Sequence, residues 1–539
     1  MKKYNLIHEP WILVLDKEGS VHQISLETAL LNGDEYMSLS GETRLQDIAI
    51  LRLLVAVAIT ILYRYDENGK PRKINSQSEA IDVFKNAWQH GIPEKAVKIY
   101  FEEWEQRFFL FDDEHPFYQV PASRFIKTDQ KDDNNPAGFR YDVEYKSSNT
   151  CSVNYFASKS FLGTVMESGN KKSPFALYCN TDDIVLSYPE AARWLIWYMN
   201  FSGCATKNPG KFQSKMTWAS GGALLTPIGR DLKETILLNC VMLKHGNDAP
   251  FSNVSPLWER ESTLGCEYAP YGENGFPDNI PELFTQQSRK IRLFDKDDKV
   301  PGMFIVAGDY YGKKNAFIEP MFLWKRNSGK HGEPDYWIPK SHGADVPIWK
   351  EFSAIIPPDS DMKPGCISWI ELLYDDGIIP DDLNIPLQVN DTVYGTMNSV
   401  LEQMVESEIT INSEFFRPEI SELMEDTIEH ISEISDAAYH FGKNIALCMG
   451  SDDKRCSTFA SETKKQYEDL IGSDVMDCLS GKVVIESLRE SMFRSSDEIA
   501  DRIVEELPIS AYRGHNDHTV GAAERKLASD LKKIRKEIE

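Results

Sequence analysis

The hydrophobic pattern of this 539-residue chain changes character once, near residue 390, and that change constrains the fold more than any motif. Before it, short β-like runs such as Trp11 to Leu15 and Met303 to Ala307 alternate with helical segments and loops rich in Gly, Pro and Asp. After it, apolar residues recur at helical spacing. Val393, Met397, Val400, Leu401, Met404 and Val405 fall on one helical face, and so do Ile420, Leu423, Met424, Ile428, Ile431 and Ile434 behind Pro418. Amphipathic segments continue around Tyr467 to Leu470, Val483 to Val504 and Ala522 to Ile538, separated by Gly- or Asp-bearing breaks. Helices joined by short breaks pack antiparallel, which predicts a helical bundle over residues 391–539 behind a mixed α/β domain over residues 1–390. Length alone also asks for two domains, because a single core stops growing at roughly 250–300 residues.

Hydrophobic residues make up 41% of the chain, enough for cores of this size, so order is expected nearly throughout. The most apolar stretch, Leu53 to Tyr63, is too short to cross a bilayer and is flanked by Arg52 and Arg64, which predicts a buried helix. Met1-Lys2-Lys3 runs into Tyr-Asn-Leu-Ile-His and not into an apolar leader, so no membrane association and a cytoplasmic location are expected. The nine cysteines are scattered singly, without the short paired spacing of a zinc ribbon or redox pair, and are expected as free thiols.

A formal net charge of -25 excludes a chain that coats nucleic acid by itself, since non-specific binding rests on Lys and Arg neutralising phosphates. Any DNA contact must then be local, made by a few loops while partner subunits hold the strand. The acidic run Glu402, Glu406, Glu408, Glu419, Glu422, Glu425, Asp426, Glu429 and Glu433 reads first as a solvated face and second as a docking surface for a basic partner. The last segment carries the opposite sign, with Arg525, Lys526, Lys532, Lys533, Arg535 and Lys536, and is expected either to neutralise the acidic helices inside the bundle, the favoured reading because both signs lie in one small domain, or to face a phosphate backbone.

The sharpest enzyme-like cluster is Asp112, Asp113, Glu114 and His115, whose donor types would suit a divalent ion. Consecutive side chains do not converge on one ion, however, and an Asp-Asp-x-His-Pro-Phe string makes a good turn with a capping Asp. There is no Gly-x-x-x-x-Gly-Lys-Ser/Thr loop, no Gly-x-Ser-x-Gly elbow and no His-Glu-x-x-His pair. His515 and His518 flank Asp517 in a polar loop. No catalytic constellation, cofactor or metal is therefore expected.

Several strings carry a resemblance. They are Asn5-Leu6-Ile7-His8-Glu9-Pro10-Trp11-Ile12, Gln46 to Leu54, Phe109 to Gln119, Pro189-Glu190-Ala191-Ala192-Arg193-Trp194-Leu195, Gly221-Gly222 leading to Gly229-Arg230-Asp231-Leu232, and Gln287 to Leu293. Their order over most of the chain resembles the large subunit of the type I-E CRISPR Cascade surveillance complex, the CasA family. The resemblance implies an α+β protein, a large mixed α/β N-terminal domain followed by a C-terminal four-helix bundle. It implies a non-catalytic subunit that tests double-stranded DNA for a protospacer-adjacent motif, starts strand separation and helps recruit a separate helicase-nuclease. The partners implied are other Cascade subunits, CRISPR RNA, double-stranded target DNA and the helicase-nuclease.

In that family a glycine-bearing loop, a lysine finger and a hairpin wedge with a glutamine inspect the minor groove, and a further loop seats the subunit near the guide RNA. The glycine loop falls here on Gly210 and Lys211 through Gly221 and Gly222, where a missing Cβ would allow close backbone approach. The lysine finger falls on Lys296 or Lys299, with Lys313 and Lys314 as second choices. The wedge falls on a hairpin tip at Tyr374 to Pro380, where Gly377 replaces the glutamine and Ile378 and Ile379 are the apolar candidates. The seating loop falls on Asn180 and Thr181, followed by Asp182 and Asp183. Two other readings remain open at this point: a metal-dependent nuclease using Asp112, Asp113 and His115, and a passive scaffold.

Overall fold

A computed structural model describes residues 2–131, 139–145, 149–158, 162, 184–203, 216–246, 249–260, 275–330, 332–357, 362–380, 383–395, 398 and 401–538. The chain divides into two compact units. The first takes Met1–Gly343, Ser360–Ile379 and Leu387–Ser407; the second takes Ala344–Asp359, Pro380–Pro386 and Glu408–Glu539.

The first unit is built round the helix Arg44–Arg64. Thr43 caps it by accepting from the Gln46 amide, and every residue from Leu45 to Tyr63 is buried. A helix apolar on all sides must be covered on all sides. It is the one described helix long and apolar enough to cross a membrane, and its apolar window lies wholly inside the protein. The helix Tyr188–Phe201 packs against it, started by Ser187, whose amide donates to Glu190 Oε2 at 2.8 Å. Charge inside this core is paired: Arg52 and Glu319, 1% and 0% exposed, form a two-pronged bridge at 2.9 and 2.8 Å.

The largest sheet has five strands, Arg289–Lys296, Lys299–Ala307, Asn149–Ala157, Phe139–Tyr145 and Phe125–Lys131 in spatial order, all antiparallel. Phe304, Val306 and Val153 form its core, with Phe125, Tyr141, Tyr155 and Phe294 packed round them. A three-stranded sheet joins Leu401–Ile411, Ile385–Tyr394 and Leu224–Pro227. This corrects the expected helix over residues 393–405. Leu401, Val405, Ile409 and Ile411 are buried, whereas Met404 is 38% and Val393 is 40% exposed. A spacing of four serves both a helical face and every second residue pair of a strand, so the apolar pattern there fits either period.

The second unit is a four-helix bundle of Pro418–Cys448, Asp453–Leu479, Ile485–Glu505 and Val520–Ile538. Pro418 occupies the first turn, where its missing N–H costs nothing. Gly442 lets the first two helices approach closely, since a Cβ there would lie 2.3 Å from Thr463 Oγ1. The segment Ala344–Asp359 joins this unit through Lys350, 2.6 Å from Glu468, and Trp349 against Gly472. The expected neutralisation between the first and last helices is not what holds them. Among the described residues, none of Arg525, Lys526, Lys532, Lys533, Arg535 and Lys536 pairs with an acid of Pro418–Cys448, and all six are exposed. The two helices meet through apolar residues, including Leu527, Leu531 and Ile534 on one and Ile431 and Ile434 on the other.

Candidate nucleic-acid interface

Strands Arg289–Lys296 and Lys299–Ala307 are joined by the two-residue turn Asp297-Asp298, with φ of 55° and 57°. Positive φ at both positions makes the tight turn that suits strand twist, and Asp tolerates it better than most residues. Lys296 and Lys299 face each other across the turn and are exposed. Two of the three carboxylates around them, Asp295 and Asp298, are engaged, while Asp297 is exposed in the turn. Lys3 Nζ lies 2.9 Å from Asp295 and 2.8 Å from Asp298, and the Tyr188 hydroxyl donates to both at 2.9 and 3.1 Å. Hydrogen bonds that Lys3 donates to Asp298 and Asp295 hold its ammonium well above the usual lysine range. The hairpin tip is therefore pinned to the N-terminal strand Lys3–Asn5 and to the start of helix Tyr188–Phe201, with two ammonium groups projecting beyond the pins.

The turn at Trp218 to Gly222 is of another kind. Thr217 and Ser220 are buried, and Trp218 Nε1 donates to Glu319 Oε2 at 2.6 Å. Gly221 has φ of +79°, and a Cβ on Gly222 would sit 2.4 Å from Pro339 Cβ, so both glycines answer packing demands of the turn itself. Lys313 lies beneath this turn. Its ammonium donates to the Ser220 carbonyl and faces the rings of Phe322 at 5.5 Å and Trp218 at 5.9 Å. Burial pushes Lys313 down to about 8, against the upward pull of Glu319 and Asp391. Lys313 is thus an internal prop and not a projecting finger. Lys314 is exposed and lies over the Tyr336 ring at 4.3 Å.

The expected wedge hairpin is instead the end of helix Gly365–Asp375. Gly377, φ 62°, takes the left-handed position after the helix, its amide donating to Tyr374 O at 2.9 Å while the Ile378 amide donates to Leu373 O at 2.9 Å. Ile378 is 8% and Ile379 1% exposed. Their apolar character serves the core after a helix cap, and no apolar tip projects there. Gly210 and Lys211, and Asn180, Thr181, Asp182 and Asp183, lie outside the described residues.

The Asp112 to His115 cluster is occupied by local structure. Asp112 Oδ1 accepts from the amides of Glu114 at 2.8 Å and His115 at 3.4 Å, and Lys2 lies 3.6 Å from its carboxylate. His115 Nδ1 is 2.6 Å from the Arg107 guanidinium, and burial and then that cation lower its pKa. A carboxylate used as a turn cap and an imidazole facing an arginine do not make a nuclease metal site.

Residues 5–529 match the family described as CRISPR-associated protein Cse1. The chain belongs to the Cse1 family. A CasA/Cse1 protein of Thermus thermophilus is 24% identical over 461 residues, covering 84% of this chain and 80% of that protein. Among solved structures, Thermobifida fusca Cse1 is similar with a TM-score of 0.78 at 20% identity, covering 99% of this chain and 98% of that one. Acidimicrobium ferrooxidans Cse1 is similar with a TM-score of 0.74 at 20% identity, covering 100% and 99%. A chain of a CRISPR RNA-guided surveillance complex is similar with a TM-score of 0.67 at 13% identity, covering 98% and 100%. The resemblance to the Cascade large subunit and the α+β fold with its C-terminal bundle are borne out.

For this Cse1 chain, the sequence pattern did not reveal the residues that fix its first unit from inside. Arg193, 2% exposed, bonds Glu42 and donates to the Trp11 carbonyl at 2.9 Å, tying two of the signature strings together. Arg289 donates to the carbonyls of Ser202 and Gly203, at 3.3 and 2.6 Å, at the end of helix Tyr188–Phe201. Lys290 is buried against Asp309 at 2.9 Å. The cations of the Gln287 to Leu293 string were visible in the sequence; that they turn inward depends on partners far along the chain.

Proposed function

We propose that this chain is a non-catalytic recognition subunit of a cytoplasmic CRISPR RNA-guided surveillance complex, Cascade, that tests double-stranded DNA for a short protospacer-adjacent motif before guide pairing. One observation carries the reading: Lys296 and Lys299 are exposed at a hairpin tip held by Lys3, which pairs with two of its three aspartates, Asp295 and Asp298, on a chain that is acidic overall. Such an element places positive charge at one point of a duplex while leaving affinity to the assembly. The candidate recognition elements, Lys296, Lys299 and Lys314, fall within residues 1–390, and in this reading the helices beyond meet neighbouring subunits. Base pairing with CRISPR RNA then reads the sequence, and a helicase-nuclease recruited to the complex cuts.

The test is binding of motif-bearing and motif-free duplex by the reconstituted complex with wild-type subunit, with Lys296→Glu and Lys299→Glu together, and without the subunit. The expected result is loss of discrimination in the second and third cases. Unchanged duplex affinity on omission of the subunit overturns the reading; unchanged affinity with the charge reversals alone makes the hairpin a bystander and favours a scaffold.

A further inference from the structure

The bundle brings together three metal-ligating side chains from two helices. His430 and Glu433 stand three residues apart on one face of Pro418–Cys448, and Glu537 lies on Val520–Ile538, the helix packed against it. Their ligand atoms all lie within 4.8 Å of one another. The placement follows from the packing. Ile431 and Ile434 are buried, so their neighbours His430 and Glu433 come to the rim of the apolar seam. Ile534 is buried as well, which brings Glu537, one turn on, to the same rim.

A second observation concerns the imidazole. His430 Nδ1 is shielded from solvent and has no hydrogen-bond partner, although two carboxylates stand nearby. A buried ring nitrogen left without a partner is costly, and a lone pair there is satisfied by a donor or by a Lewis acid. The spacing suits the second. Ligand atoms each about 2.1 Å from one tetrahedral zinc lie about 3.4 Å from one another, so side-chain rotation brings the three together from within 4.8 Å. Two glutamates converging on one point also repel each other unless a cation sits between them. The competing cation is Lys533, 3.5 Å from Glu537 and 78% exposed at its side chain.

We propose that His430, Glu433 and Glu537 form a binding site for one divalent transition-metal cation, which staples the last helix of the bundle to its first. One nitrogen and two carboxylates suit zinc or manganese better than calcium, which takes oxygen ligands, and leave a coordination position for water. The role is structural: binding at a junction present only in the folded bundle stabilises it.

The experiment uses the full chain, stripped with a chelator and titrated with zinc chloride by calorimetry, with thermal unfolding in parallel. The expected result is one zinc per chain, a raised unfolding midpoint, and at least tenfold weaker binding for His430→Ala and for Glu433→Gln. Glu537→Gln, exposed near the chain end and unable to disrupt the core, shows the same loss. Cobalt in place of zinc gives a visible d–d spectrum without a thiolate charge-transfer band, which separates this site from the buried cysteines. Absence of saturable binding, binding that survives His430→Ala and Glu537→Gln, or a thiolate band in the cobalt spectrum overturns the proposal.

Discussion

Two lysine-bearing turns of the first unit put the same side chain to opposite uses. At the Lys296 to Lys299 hairpin two of the three nearby carboxylates, Asp295 and Asp298, are taken by Lys3 and Tyr188, and the ammonium groups face water. Beneath the Trp218 to Gly222 turn, a carbonyl and two aromatic faces take the ammonium of Lys313 and hold it inside. A lysine's role is thus decided by what its neighbours have already neutralised. Charge free to meet a phosphate is found where the local acids have partners of their own.

The sharpest way to break this contrast is Lys313→Glu, which sets a carboxylate among Glu319 and Asp391 and leaves the turn unsupported. The expected loss is about 3–5 kcal/mol of stability, read by denaturant unfolding. A stable variant with weakened duplex binding would instead make Lys313 a groove contact. Next comes pH. The Lys313 ammonium titrates near 8 in the folded chain, below its ordinary value of about 10.4. Between those values the unfolded chain holds a proton that the folded chain lacks, so stability rises with pH across that window, by on the order of 3 kcal/mol. Unfolding at about pH 7.5 and about pH 10 is expected to show this rise in the wild type and to lose that part of it in Lys313→Met.

On the other side of the comparison, Lys296→Glu with Lys299→Glu is expected to weaken motif-bearing duplex binding by the complex about tenfold to a hundredfold. The salt slope should fall by about two, and stability should stay within about 0.5 kcal/mol. The smallest effect is expected at Gly377. Alanine in its left-handed conformation costs about 1 kcal/mol by thermal unfolding and leaves DNA binding unchanged, because the position caps a helix and does not enter a groove.

These regions differed in how legible each was. The resemblance placed Lys296 and Lys299 as the lysine finger, and the turn found there is local in geometry: two residues that tolerate positive φ between two strands. The fate of Lys313 could not be read from the sequence, because Trp218 and Ser220 lie far from it along the chain. Ile378 and Ile379 looked like an apolar tip because a helix cap and a hairpin tip use the same glycine-bearing signal. Which of the two forms depends on whether the following apolar residues find a core.

The amino-acid order alone determined whatever rests on short-range physics: a buried apolar helix through Leu53 to Tyr63, the amphipathic helices beyond Pro418, and a strongly acidic net charge. Tertiary packing decided the strand at Leu401–Ile411, where a spacing of four satisfied two periods at once, and the inward turn of Arg193, Arg289 and Lys313. It also decided the meeting of His430 and Glu433 with Glu537. Periodicity and backbone preference act over a few residues, whereas the partner of a charge is set by long-range contacts that no local pattern encodes.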